Sequence, residues 1–113
     1  MAEHGLVVFS FAHEHTLAGH WLIYFELPHA FMPRHISVVG TAGSGTIKVG
    51  TSGSDEALLA DTAIGCSSDP TEFITSDFAD ADYQYSKGDI MLITITSSAI
   101  EDLCVVVTGL FGL

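Results

Sequence analysis

Ile90-Met91-Leu92-Ile93-Thr94-Ile95-Thr96, then Ser97-Ser98, then Leu103-Cys104-Val105-Val106-Val107-Thr108 is the stretch on which the fold turns. Both runs are short and rich in β-branched residues, and small polar residues separate them. Side chains of that kind pack well on a pleated surface and lose rotamer freedom in a helix. Two strong strands are therefore expected, with a turn at Ser97-Ser98. Lys87-Gly88-Asp89 reads as the turn that enters the first of them, and Gly109-Leu110-Phe111-Gly112-Leu113 closes the chain on apolar residues.

The same grammar runs towards the N-terminus. Leu6-Val7-Val8-Phe9-Ser10-Phe11 is a strand run. His20 to Leu27 is another, with Trp21, Ile23, Phe25 and Leu27 on one face and His20, Leu22, Tyr24 and Glu26 on the other. Both faces carry apolar residues, which implies a covering partner on the second face. Pro28 and Pro33 bracket an irregular crossing. His35 to Gly40 and Thr46 to Gly50 are strand runs around the Gly-rich Thr41–Gly45, together read as a hairpin, with Ile47 and Val49 facing inward. Thr51–Ser54 is a second small-residue turn. Asp55 to Ile64 admits two readings, a short helical turn capped by Ser54 or a strand with a bulge. Gly65–Pro70 is loop, and Phe73-Ile74 and Phe78 mark an edge strand or a long connection. Seven or eight short strands without βαβ alternation predict one all-β domain over residues 1–113, a β-sandwich or jelly roll of about eight antiparallel strands.

Composition limits what such a domain does. Hydrophobic residues make up 48% of the 113, enough for a core, and no apolar run approaches the ~18–20 residues of a membrane-crossing helix. The N-terminal Met-Ala-Glu-His-Gly has no basic region ahead of an apolar stretch, so no secretory leader is expected. Three Lys and Arg against fourteen Asp and Glu give a net charge of −11. Arg34, Lys48 and Lys87 are scattered, whereas phosphate binding needs clustered cations, so neither nucleic acid nor an anionic membrane is an expected partner. Residues 1–52 hold Glu3, Glu14 and Glu26 against Arg34 and Lys48, a balance of −1. Residues 53–113 hold the other eleven acids against Lys87, a balance of −10. All six histidines lie at or before His35.

Candidate chemistry is thin. His13-Glu14-His15, with His20, is the best metal pattern, because residues two apart on a strand share a face. It lacks a following carboxylate at cupin spacing and any histidine beyond position 35, so no metal or cofactor is expected. Asp77, Asp80 and Asp82 read as a solvated acidic face rather than a calcium loop. No Gly-x-Ser-x-Gly elbow occurs, and Gly40 to Lys48 lacks the ending of a phosphate loop. Cys66 and Cys104 are expected as reduced thiols rather than as a disulfide framework. The chain is expected to bind and not to catalyse. Trp21, Tyr24, Phe11, Phe31 and Phe111 exceed what a small core requires, and aromatics concentrate in interfaces. The expected interface is Trp21, Tyr24, Phe31, Leu110, Phe111 and Leu113.

One resemblance bears on that reading. Pro28-His29-Ala30-Phe31, the segment Gly45–Thr51, the acidic Ser54–Leu59, Ala63-Ile64-Gly65, the stretch Tyr85–Ile95 with its Lys-Gly-Asp turn, and the ending Leu103–Leu110 together resemble small jelly-roll virion proteins of tailed bacteriophages. The resemblance covers residues 28–113 and not the first 27. It implies a non-enzymatic capsid decoration (cement) protein. Such a protein is made in the host cytoplasm, seated on the major capsid protein at capsomer junctions outside the head, and assembled as a homotrimer or homodimer. A receptor- or carbohydrate-binding jelly-roll module of a tail or fibre is the alternative, and a cupin-like metal enzyme using His13, His15 and His20 is the second.

Overall fold

Strand signals as dense as these leave the chain little choice but a sheet, and the computed structural model, which describes residues 5–66 and 69–112, is an all-β protein. Among the described residues six strands form it: β1 (Gly5–Glu26), β2 (Phe31–Val39), β3 (Ala42–Gly50), β4 (Leu59–Gly65), β5 (Thr71–Ile74) and β6 (Ile90–Phe111). All pairings are antiparallel, and the sheet is nearly closed on itself. The expected runs, about eight, appear as six continuous strands, for a physical reason. The runs 6–11 and 20–27 are two halves of one 22-residue strand, and so are 90–96 and 103–108. Neither His13–Gly19 nor Ser97-Ser98 is a loop. Each is a place where the long β1–β6 pair changes register.

The two register changes are complementary. Between His13↔Leu103 and Thr16↔Glu101, β1 carries the extra residue; between Leu17↔Ile100 and Gly19↔Ser97, β6 does. Bulges add twist and bend to a strand, and here they fold both strands double. At ~3.3 Å per residue, Phe9 and Phe25 would lie ~50 Å apart on a straight strand. Their ring centroids are 5.3 Å apart.

The folded sheet has two leaves, and each long strand serves both. One leaf has the order β1–β6–β2–β5, using residues 5–13 of β1 and 103–111 of β6. The other has the order β1–β6–β3–β4, using residues 19–26 and 90–97. β2 and β3 therefore do not form the hairpin expected around Thr41–Gly45. They follow one another along the same edge of β6, stepping between leaves at Gly40-Thr41, and most of the Gly-rich segment is strand. Asp55–Leu58 is turn and β4 follows it, so the strand reading of 55–64 holds and the helical one does not. Phe73-Ile74 lies in the edge strand β5, followed by a 3-10 turn at Thr75–Asp77.

One apolar core fills the space between leaves. It takes Ile23, Ile47, Val49, Ile93 and Ile95 from one and Ile36, Val38, Val105 and Val107 from the other, with Ile100 and Leu103 at the bend. Alternation along each strand does this sorting, because successive residues point to opposite faces. At the open end, Phe9, Phe31 and Phe111 pack edge to face, with centroids 5.2–6.0 Å apart. Tyr85, wholly buried, ties that end shut. Its backbone pairs with Phe31 in both directions at 3.0 and 2.8 Å, and its hydroxyl donates to the Gly50 carbonyl at 2.9 Å. Cys66 is buried, Cys104 is half-buried on the outer face, and both are unpaired thiols.

At the bend, backbones approach closely enough to exclude side chains. Gly43 has φ +89°, and a Cβ there would overlap the Ala99 carbonyl. Ala99 and Asp102 take the left-handed conformation themselves, at φ 57° and 50°. A Gly43→Ala variant is expected to lose at least ~2 kcal/mol, from the positive φ and the overlap together. Ala99→Gly removes left-handed strain of ~1–2 kcal/mol and adds unfolded-chain entropy of ~0.5–1, so it is expected to be neutral or slightly stabilising. Urea denaturation of both variants checks this pair of signs.

Burial pushes the Tyr85 hydroxyl well above its ordinary pKa, with smaller pushes from Tyr83 and Asp89. A raised tyrosine pKa means that the folded state holds a proton which the unfolded state releases above about pH 10, so this group's contribution to stability is level below that pH and falls above it. Tyr85→Phe is expected to flatten most of the alkaline loss while costing about 1–2 kcal/mol at neutral pH, because the Gly50 carbonyl loses this donor. Thermal melts between neutral and strongly alkaline pH measure both effects.

Candidate functional site

Two features of the outer surface stand apart from an ordinary solvated sheet. The first lies on the β1–β6–β2–β5 leaf. Phe9, Phe11, Val105 and Val107 face the core, so by alternation Leu6, Val8, Ser10 and Ala12 of β1 and Cys104, Val106, Thr108 and Leu110 of β6 face outward, paired across the ladder. None of these eight is charged, in a chain of net charge −11. Leu6 is 72% exposed and Val8 58%. An antiparallel sheet with one wet face normally alternates apolar-in and polar-out. This one presents an uncharged strip instead. Among the described residues β1 pairs only with β6, so the strip ends at a long unpaired strand edge. Charge resumes on β2, where the exposed Arg34 guanidinium reaches the sulfur of Met32, the partner of Leu110, and beyond it His35 Nε2 lies 3.0 Å from Glu72 Oε1.

The second feature is a groove of about 600 Å³ on the outer face of the other leaf. Its floor is Leu92 and Thr94 of β6, one wall is His20, Leu22 and Tyr24 of β1, and the other is the loop 52–55. Thr94 sits opposite Leu22 on one side and Lys48 on the other. Its side chain is buried to 2% exposure, and its Oγ1 has no hydrogen-bond partner. Tyr24 is 54% exposed and Leu22 47%. Lys48 and Asp55 form an ion pair at 3.1 Å that joins β3 to the loop, and the carboxylate holds the ammonium above its ordinary pKa. A hydrogen bond of 3.1 Å between His20 Nδ1 and Thr96 Oγ1 fixes the imidazole.

The residues expected to form one interface are dispersed. Phe31 is corrected outright: it is wholly buried between Phe9, Phe111 and Tyr85, because β2 turns it into the core. Trp21 is 36% exposed on the core-facing side of β1, where its ring meets His13 at 5.2 Å. Phe111 is half-buried in the aromatic cluster, and His29 stacks edge-on to it at 5.3 Å. Tyr24 belongs to the groove and Leu110 to the uncharged strip, on different leaves. Leu113 lies outside the described residues. Leu6 and Val8, the most exposed large apolar residues among those described, fall outside the expected interface. The signal was present in the run Leu6–Phe11, where Leu6 and Val8 alternate with Val7, Phe9 and Phe11.

The histidines do not converge either. His13 sits opposite buried Leu103 on the inner face, whereas His20 sits on the outer face of the other leaf, and the His15 side chain lies outside the described set. Among the described residues no group of three His, Cys, Asp or Glu is placed to hold a metal ion. Asp77 and Asp80 serve their own turns. Asp77 Oδ2 accepts the Ile74 N–H at 2.9 Å, and Asp80 Oδ1 accepts the Asp82 N–H at 2.9 Å. Compared with known proteins, this chain matches no family model, no curated sequence and no solved structure.

Proposed function

We propose that this chain is a non-enzymatic structural protein that works by adhesion, a jelly-roll decoration protein of a bacteriophage head. It would seat its β1–β6 face against the major capsid protein or a sister subunit. The uncharged strip carries the reading. Exposed apolar patches in otherwise polar surfaces mark protein–protein contacts, and each Å² of apolar surface removed from water is worth about 25 cal/mol. The acidic residues lie off this strip: Asp61 on β4, Glu72 on β5, Asp55, Glu56, Asp77, Asp80, Asp82 and Asp89 in loops, and, on the long strands themselves, Glu14, Glu101 and Asp102 at the bend and Glu26 on the other leaf. Docking through the strip would leave that charge in solvent, where it limits indiscriminate association.

The leaf orders favour the same reading. Orders β1–β6–β2–β5 and β1–β6–β3–β4, joined by shared bent strands, support reading the fold as two interlocked Greek keys. That architecture hosts viral capsid proteins as well as lectins and cupins. Fold analogy does not choose among these; the strip is what supports the adhesive reading.

The test is a Leu6→Asp, Val8→Asp double variant. Both side chains are exposed, so circular dichroism and the thermal transition are expected to stay within experimental scatter of wild type. Self-association in sedimentation velocity, or co-sedimentation with heads assembled from the capsid protein of the same genome, is expected to be lost. If the wild type is monomeric and leaves such heads bare, or if the double variant assembles like wild type, the proposal fails.

A further inference from the structure

We propose a second site, independent of the adhesive face: the groove on the β1–β6–β3–β4 leaf binds a neutral saccharide. Four observations converge on that ligand class. The Thr94 hydroxyl is buried without a partner at the floor, and a buried polar group left unpaired is costly unless something supplies the missing bond. A ligand hydroxyl both donates and accepts, so it satisfies Thr94 Oγ1 in either direction. The Tyr24 ring and Leu22 stand exposed on one wall, an apolar surface for the C–H face of a pyranose. Opposite them the loop 52–55 presents the hydroxyls of Ser52 and Ser54 and the flat backbone of Gly53, all exposed. The last observation is electrostatic. Lys48, the cation nearest the floor, is committed to Asp55, and a chain of net charge −11 repels anions, which favours a neutral ligand over a phosphorylated or carboxylated one. About 600 Å³ is within the size range of small-molecule sites.

The orphan hydroxyl also makes the proposal separable from mere architecture. A threonine whose hydroxyl serves only the fold is bonded within the fold. One kept for a ligand lowers the stability of the empty protein. Thr94→Val preserves shape and β-propensity and deletes only the hydroxyl, so it is expected to raise Tm and weaken binding together.

The experiment is an NMR titration of uniformly 15N-labelled full chain with glucose, galactose, mannose, N-acetylglucosamine and their disaccharides at millimolar concentrations. At least one is expected to shift amides confined to residues 20–24, 52–55 and 92–96. Tyr24→Ala is expected to weaken that binding about tenfold through the lost ring surface, and Thr94→Val about three- to tenfold. The Leu6→Asp, Val8→Asp variant is expected to bind the sugar like wild type, which keeps this site distinct from the adhesive face. Three results overturn the proposal: no saccharide shifting these amides, a Thr94→Val protein with lowered Tm and unchanged affinity, or a Tyr24→Ala protein whose sedimentation changes. The last outcome would make the groove a protein contact.

Discussion

The doubling-back of β1 and β6 is the constraint on which the rest of the structure depends. Two 22-residue strands paired along their whole length would make a stiff ribbon with little to bury on its faces. Complementary bulges, one on each strand, turn that ribbon into two leaves that face one another. Phe9 then reaches Phe25 of its own strand, and the core becomes continuous. β2 and β3 follow the bend through Gly40-Thr41, and β4 and β5 follow outside them. The left-handed residues Ala99 and Asp102 and the side-chain-free Gly43 all sit at this bend. Strain collects where backbones cross, and the packing of both leaves holds it in place.

Folding each strand double also decides the surface. A residue that faces inward in one leaf has outward neighbours on both sides, so each long strand lays down two outer faces, one per leaf. On the first leaf those positions are occupied by Leu, Val, Ser, Ala, Cys and Thr, and on the second by a mixture with an aromatic ring and hydroxyls. The same two strands thus carry an uncharged strip and a groove, on different leaves. Many of the acidic residues lie in turns, where carboxylates also bind turn amides, as Asp77, Asp80 and Asp89 do, and Glu101 and Asp102 of β6 lie at the bend.

Much of the fold is legible in the sequence. Period-two alternation and β-branched runs give the strand class, the inward Ile47 and Val49, and the edge position of Phe73-Ile74. Turn chemistry misleads at three places, and for one reason. Thr41–Gly45, Ser97-Ser98 and His13–Gly19 are rich in small or polar residues, which serve a turn and a bulge equally well. Local chemistry cannot say whether the chain reverses there or merely bends, because the answer depends on which strand lies alongside. The Asp55–Ile64 ambiguity is of the same kind, settled by the pairing of β4 with β3.

The sequence by itself determined the all-β class, the net charge of −11 and its concentration after residue 52, and the apolar wealth of the segments that became β1 and β6. Those follow from side-chain chemistry and near-neighbour sterics alone. Only the tertiary structure decided that eight runs are six strands, that Phe31 is core rather than interface, that His13 and His20 face opposite ways, and that Thr94 is buried without a partner. Each of these depends on a neighbour distant in sequence. A β-strand acquires its faces from the strands it pairs with and the leaf it packs against, and no local pattern carries that information.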